Sequence, residues 1–205
     1  MNPYKVEMNL YHDCLYEAKR RIDVIASHIN HEITEKYKIV EVEFICLQFR
    51  KLLELIALMS LVANKEIYAE QNEKFRKHYH AERILNDLER INPHYYPQPI
   101  RKIDKEGEMS QLIRVEDGYL TKEEFIKLYE MCGSMMHSHN PFADTEAYSN
   151  KINNLIQVFP EWLTKIYLLI AHHQITLVGG KAMVVGLLER TDNGQPQAVI
   201  LEQID

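Results

Sequence analysis

The stretch LYEMCGSMMHSHNPF, Leu128 to Phe142, gathers residue types that can do acid–base chemistry. Glu130, Ser134 and His137 are spaced four and three apart, which on a helix puts them near one face, and Gly133 leaves that surface open to close approach. A carboxylate, a hydroxyl and an imidazole so grouped can act as general acid or base in a cleft. His137 and His139 have a second reading, as last-turn residues whose rings cap free helix carbonyls. His-x-His also occurs in metal sites, but there the pair sits on a strand or loop with other ligands converging on it.

Arg50 is the other unusual group, a guanidinium in an otherwise apolar run with Glu54 four residues on. Removing a guanidinium from water without a partner is costly, so an intrahelical ion pair is one reading. The catalytic alternative has Arg50 contact a phosphate while facing His137 across a bundle. Between Lys74 and Arg83, KFRKHYHAER sets Lys74, Arg76, Lys77 and Arg83 around Phe75 and Tyr79. Such a stretch could meet RNA phosphates and stack a base, but Phe75 and Tyr79 also have the i, i+4 spacing of a buried stripe.

The remaining histidines carry weaker signals. His28 and His31 lie in HINHE, which lacks the His-Glu-x-x-His order of a zincin. His172 and His173 follow an apolar run, where capping of a helix end explains them. Gly179-Gly180 reads as a turn between strands, and no P-loop or dinucleotide loop is present. Neither a resident metal nor a cofactor is therefore expected.

These residues need elements to hold them. From 2 to 36, Leu15, Ile22, Ile25 and Ile29 recur at helical spacing, and a second helix over 39–64 is apolar nearly all round in LLELIALMSLVA, the mark of a central rod. A third, more charged helix is expected over 67–91. The run NPHYYPQP ends it, since proline lacks the N–H and disfavours a helical residue before it. PIRKID and SQLIRV then read as a hairpin inserted near 97–118. Thr121-Lys-Glu-Glu124 has capping-box spacing and opens a fourth helix that runs to about His139 before Asn140-Pro141; Asp144 caps a fifth that reaches about His173, with Pro160 kinking or restarting it. Beyond it, ITLV, AMVVGLLE and AVILEQ with the Asp192-Asn193-Gly194 turn predict a C-terminal antiparallel hairpin over 174–205, packed on the 1–173 bundle, which the earlier hairpin can join into a small sheet.

With 205 residues, 46% of them hydrophobic, the chain can bury one sizeable core, so the expected fold is mainly α, a bundle of about five helices with a small antiparallel sheet. A net charge of −6 argues against nucleic-acid binding over the whole surface. Three scattered cysteines do not make a disulfide framework, and the longest apolar run, Leu55 to Ala63, is far short of the roughly 20 residues that span a bilayer. A cytoplasmic protein with no membrane association is expected.

Two features, FRKLLELI on a long helix and a later helix ending in His137 just before Asn140-Pro141, resemble the HEPN superfamily of helical bundles. The resemblance covers the helical part, about 1–173. It implies a bacterial homodimer in a defence, toxin–antitoxin or stress system, with RNA, a nucleotide or an antitoxin-like protein as partner. The superfamily's ribonuclease motif sets an arginine ahead of the histidine with four to six residues between them, and those positions here hold Glu130, Met131 and Cys132. The expectation is a HEPN-like binding or regulatory module without ordinary ribonuclease catalysis. The alternatives are a metal-independent endoribonuclease using His137 with Arg50, and a metal-dependent bundle enzyme drawing on His28, His31, His137, His139 and His172.

Overall fold

A computed structural model describes residues 5–31, 33–65, 80–103, 111–190 and 192–202. Among these residues the order is α1 (Lys5–Ile29), α2 (Lys38–Ala63), α3 (Ala81–Ile91), β1 (Gln98–Ile103), β2 (Gln111–Arg114), α4 (Lys122–Gly133), α5 (Thr145–Ile170), β3 (His172–Thr176), β4 (Ala182–Leu187) and β5 (Gln197–Glu202). No described helix is long and apolar enough to cross a membrane.

The helices follow from their buried stripes and their ends. On α1, Tyr11, Leu15, Ala18, Ile22 and Ile25 alternate spacings of four and three and are buried. α2 buries residues around most of its circumference, from Val42 to Leu61, because α1, α3, α4 and α5 all pack on it. Phe49 of α2 meets Phe159 of α5 with ring centroids 5.5 Å apart. Thr121 and Glu124 form the expected capping box at the start of α4, and the Asp144 carboxylate accepts from the N–H groups of Glu146 and Ala147 at the start of α5. α5 runs unbroken through Pro160.

The inserted hairpin and the C-terminal strands join, and the result is larger than a C-terminal hairpin. They form one five-stranded antiparallel sheet in the order β2-β1-β3-β4-β5. The join is a short β1–β3 ladder in which Gln98 pairs with Gln174 and Pro99 with His173. β3 starts at His172, directly after α5, so the sheet grows out of the bundle's last helix. One sheet face, with Ile175 and Val184, enters the helical core.

His173 fastens that face. Its ring is fully buried, with Nδ1 2.9 Å from the Ile170 carbonyl and Nε2 2.6 Å from the Tyr11 hydroxyl. A carbonyl only accepts, so Nδ1 carries the proton and Tyr11 donates to Nε2. The expected capping by His173 is thus present, since Ile170 is the last residue of α5, but the same ring also ties β3 to α1. Across the ladder sits Gly186, where a Cβ would lie 2.5 Å from the imidazole Cε1. Only glycine fits there without moving the ring.

Burial lowers the His173 pKa from 6.5 to about 4. The unfolded chain therefore binds the proton more readily than the folded one between those values. The resulting stability, about 3 kcal/mol, is complete above pH 6.5 and is lost as pH falls towards 4. Urea titrations across this range should show that decline. Tyr11→Phe leaves a buried acceptor unpaired and should cost about 1–3 kcal/mol at neutral pH. Gly186→Ala should cost a similar amount through overpacking, about 1–3 kcal/mol.

Candidate functional site

Arg50 projects from α2 onto α4. Its Nη2 donates to the Tyr129 hydroxyl at 2.7 Å, that hydroxyl donates to Glu54 Oε1 at 3.2 Å, and Arg50 Nε lies 3.5 Å from the same carboxylate oxygen. The guanidinium carbon sits 4.0 Å from the Tyr129 ring centroid, a stacked cation–π contact. Arg50 and Glu54 are 25% and 30% exposed, so the pair is partly withdrawn from water and each charge needs the other. The intrahelical ion pair is present, with a tyrosine from another helix closing it into a triangle.

Gly133 has its explanation in the same contact. A Cβ there would stand 2.6 Å from Arg50 Nη1, so the open surface expected beside Gly133 is filled by the guanidinium. Burial pushes the Tyr129 phenol pKa up, opposed by Arg50 and reinforced by Glu54. Cys132, a free thiol that shares a hydrogen bond with the Cys46 thiol, has its pKa raised by that hydrogen bond and by burial, which disfavours the thiolate a nucleophile would need.

The end of α4 departs from expectation. The helix stops at Gly133 instead of near His139, and Met135 and Met136 continue it only as three-residue turns through their bonds to the Cys132 and Gly133 carbonyls. Glu130, Ser134 and His137 therefore do not share one helical face. Glu130 and His137 are exposed. Ser134 donates to the Met131 carbonyl and accepts from Lys151 Nζ at 2.8 Å. His139 lies against Tyr148 with ring centroids 4.1 Å apart, and its buried Nε2 has no partner among the described residues.

His137 borders an open groove of about 320 Å³ whose apolar lining includes Val40, Phe44, Leu47 and Met136, with Glu43 as its carboxylate. Arg50 does not line this groove. The two residues required to converge for phosphate chemistry thus have separate surroundings, one exposed on a groove and the other locked between α2 and α4.

Lys74, Arg76 and Lys77 lie outside the described residues, as do Phe75 and Tyr79; Arg83 is exposed on α3. No group of three potential ligands among the described residues could hold a metal. His28 and His31, the latter just beyond the end of α1, each place Nδ1 on an α1 carbonyl, Val24 and Ser27. Tyr129 and Lys151 were not candidates from sequence. Tyr129 has the pattern of an ordinary core residue, and the partners of both are distant in sequence. Gly133 was the available signal, a glycine inside a helical run.

No protein-family model matches the chain, and neither a curated protein nor a solved structure shows significant similarity to it.

Removing the Tyr129 hydroxyl separates the Arg50–Glu54 pair from α4. Tyr129→Phe should cost about 1 kcal/mol by urea unfolding. Glu54→Gln should cost less in that background than in wild type, because both changes break one network; equal costs in the two backgrounds would dissolve the triangle.

Proposed function

We propose that the chain is a non-catalytic, HEPN-like binding or regulatory module. Its contact surface is the groove beside His137, and its partner is a protein, either a second copy of the chain or an antitoxin-like protein. The observation that carries this reading is the engagement of Arg50 by Tyr129 and Glu54 over Gly133, away from the groove that His137 borders. A transition-state phosphate needs a preorganised cation free to meet it, and this guanidinium is committed to structure. The groove has the features of a protein contact, with Val40 63%, Phe44 36% and Met136 36% exposed, and Phe142 95% exposed on the loop that follows. Methionines adapt such a surface to a partner's shape.

The endoribonuclease alternative keeps one supporting observation. His137 is exposed, and the Lys151 ammonium reaches Ser134, three residues before it. Incubation of wild type, His137→Ala and Lys151→Ala with mixed RNA in EDTA distinguishes the readings. The binding reading expects no cleavage by any of them, whereas cleavage lost in His137→Ala establishes the nuclease. For the contact surface, light scattering should give a mass above one chain, alone or with the partner, that Val40→Asp returns to that of a single chain.

A further inference from the structure

A second cavity, away from the His137 groove, lies on the sheet face opposite the core. Gln98 pairs with Gln174 across β1–β3, and Ile100 pairs with Arg114 across β1–β2. Cross-strand partners share a face and alternate residues return to it, so Gln98, Gln174, Thr176 and Arg114 all point the same way. His173 and Ile175, of opposite parity, enter the core. Over the four polar residues folds the loop after α3, and its Tyr96, together with Tyr119 from the segment after β2, helps to enclose about 140 Å³.

That roof is fixed before any ligand arrives. Asn92, 3% exposed, donates through Nδ2 to Asn64 Oδ1 at 2.7 Å and to the Thr176 carbonyl at 2.8 Å, and accepts from the His94 N–H at 3.0 Å. Tyr96 donates to the Leu120 carbonyl, and Gln98 Nε2 donates to the Val115 carbonyl. Pro93 and Pro97 restrict the loop further. A cavity so tied loses little entropy on binding.

Its polar lining is not satisfied by the protein. Gln174 is 9% exposed, yet its side-chain amide has no hydrogen-bond partner among the described residues. The Thr176 hydroxyl and the Arg114 guanidinium, which also line the cavity, likewise have none among the described residues. An amide that opens onto a polar cavity without a protein partner is available to a ligand's atoms. The lining holds a guanidinium and no carboxylate. At about 140 Å³ the space is sufficient for a small oxyanion.

We infer that this cavity binds a small oxyanion, a phosphate or a short carboxylate, with Arg114 facing its charge and Gln174 and Thr176 bonding its oxygens. The inference is independent of the proposed role of the His137 groove. Gln174 selects against apolar occupants, since an apolar molecule would leave its amide unpaired.

Amide-detected NMR titrations of the full chain with inorganic phosphate, acetate and neutral acetamide, at constant pH and ionic strength, test it. The expected result is saturable shifts of the Gln174 and Gln98 side-chain amides with phosphate or acetate at millimolar concentration, and none with acetamide. Phosphate alone identifies a phosphoryl ligand; acetate alone identifies a carboxylate. Arg114→Gln, a change at an exposed position, should weaken the successful probe about tenfold or more. Gln174→Leu should do the same, with its thermal midpoint measured alongside to verify folding. Absence of saturation by both anions, equal binding of acetamide, or unchanged affinity in Arg114→Gln overturns the proposal.

Discussion

A neutral imidazole sealed in the joint between bundle and sheet is the contact on which the rest of this molecule leans. His173 accepts a hydrogen bond from the Tyr11 hydroxyl and donates one to the Ile170 carbonyl, so three elements meet at one ring: α1, the end of α5 and the start of β3. With every hydrogen-bonding position of the ring used, its burial carries no unpaired-group penalty. Gly186 lets β4 pass close to the ring, and the strand order beyond it follows. β1 pairs with β3 right at this residue, so the loop that roofs the outer cavity is hung from the same joint.

The seam between α2 and α4 applies similar logic to charge. Arg50 is partly withdrawn from water, and the structure answers with a carboxylate, a phenol and a glycine that makes room. What looks in sequence like a cation and an imidazole awaiting one substrate becomes, in three dimensions, a structural knot and a separate exposed ring. Two polar side chains without partners among the described residues, Gln174 and Arg114, line a small cavity on the sheet's outer face. Function in this chain is better sought where polar groups lack partners than where their types are the most suggestive.

Local features were legible in sequence. The capping box at Thr121, the Asp144 cap and the all-round apolar character of α2 depend on neighbours a few residues away and appear as expected; a strand forms near each of the five signals, but β3 starts at His172, where the helix was expected to continue. What could not be read depends on distant partners. Tyr11 and His173 are 162 residues apart, and Arg50 and Tyr129 are 79 apart. No periodicity encodes such pairings, so His173 read only as a helix cap and Gly133 as an open surface. The joining of the two hairpins into one sheet stays only an option in sequence for the same reason, since it rests on the short β1–β3 ladder. The helix end at Gly133 was hidden because MetMetHis continues the apolar rhythm after the backbone has tightened out of the α-helix.

Ring-nitrogen NMR of His173 in the intact protein addresses the joint itself. The account predicts an imidazole protonated on Nδ1 alone at neutral pH, with Nε2 accepting from Tyr11, that stays neutral until the pH nears 4. A ring that titrates near the free value of 6.5 while the protein remains folded would contradict it.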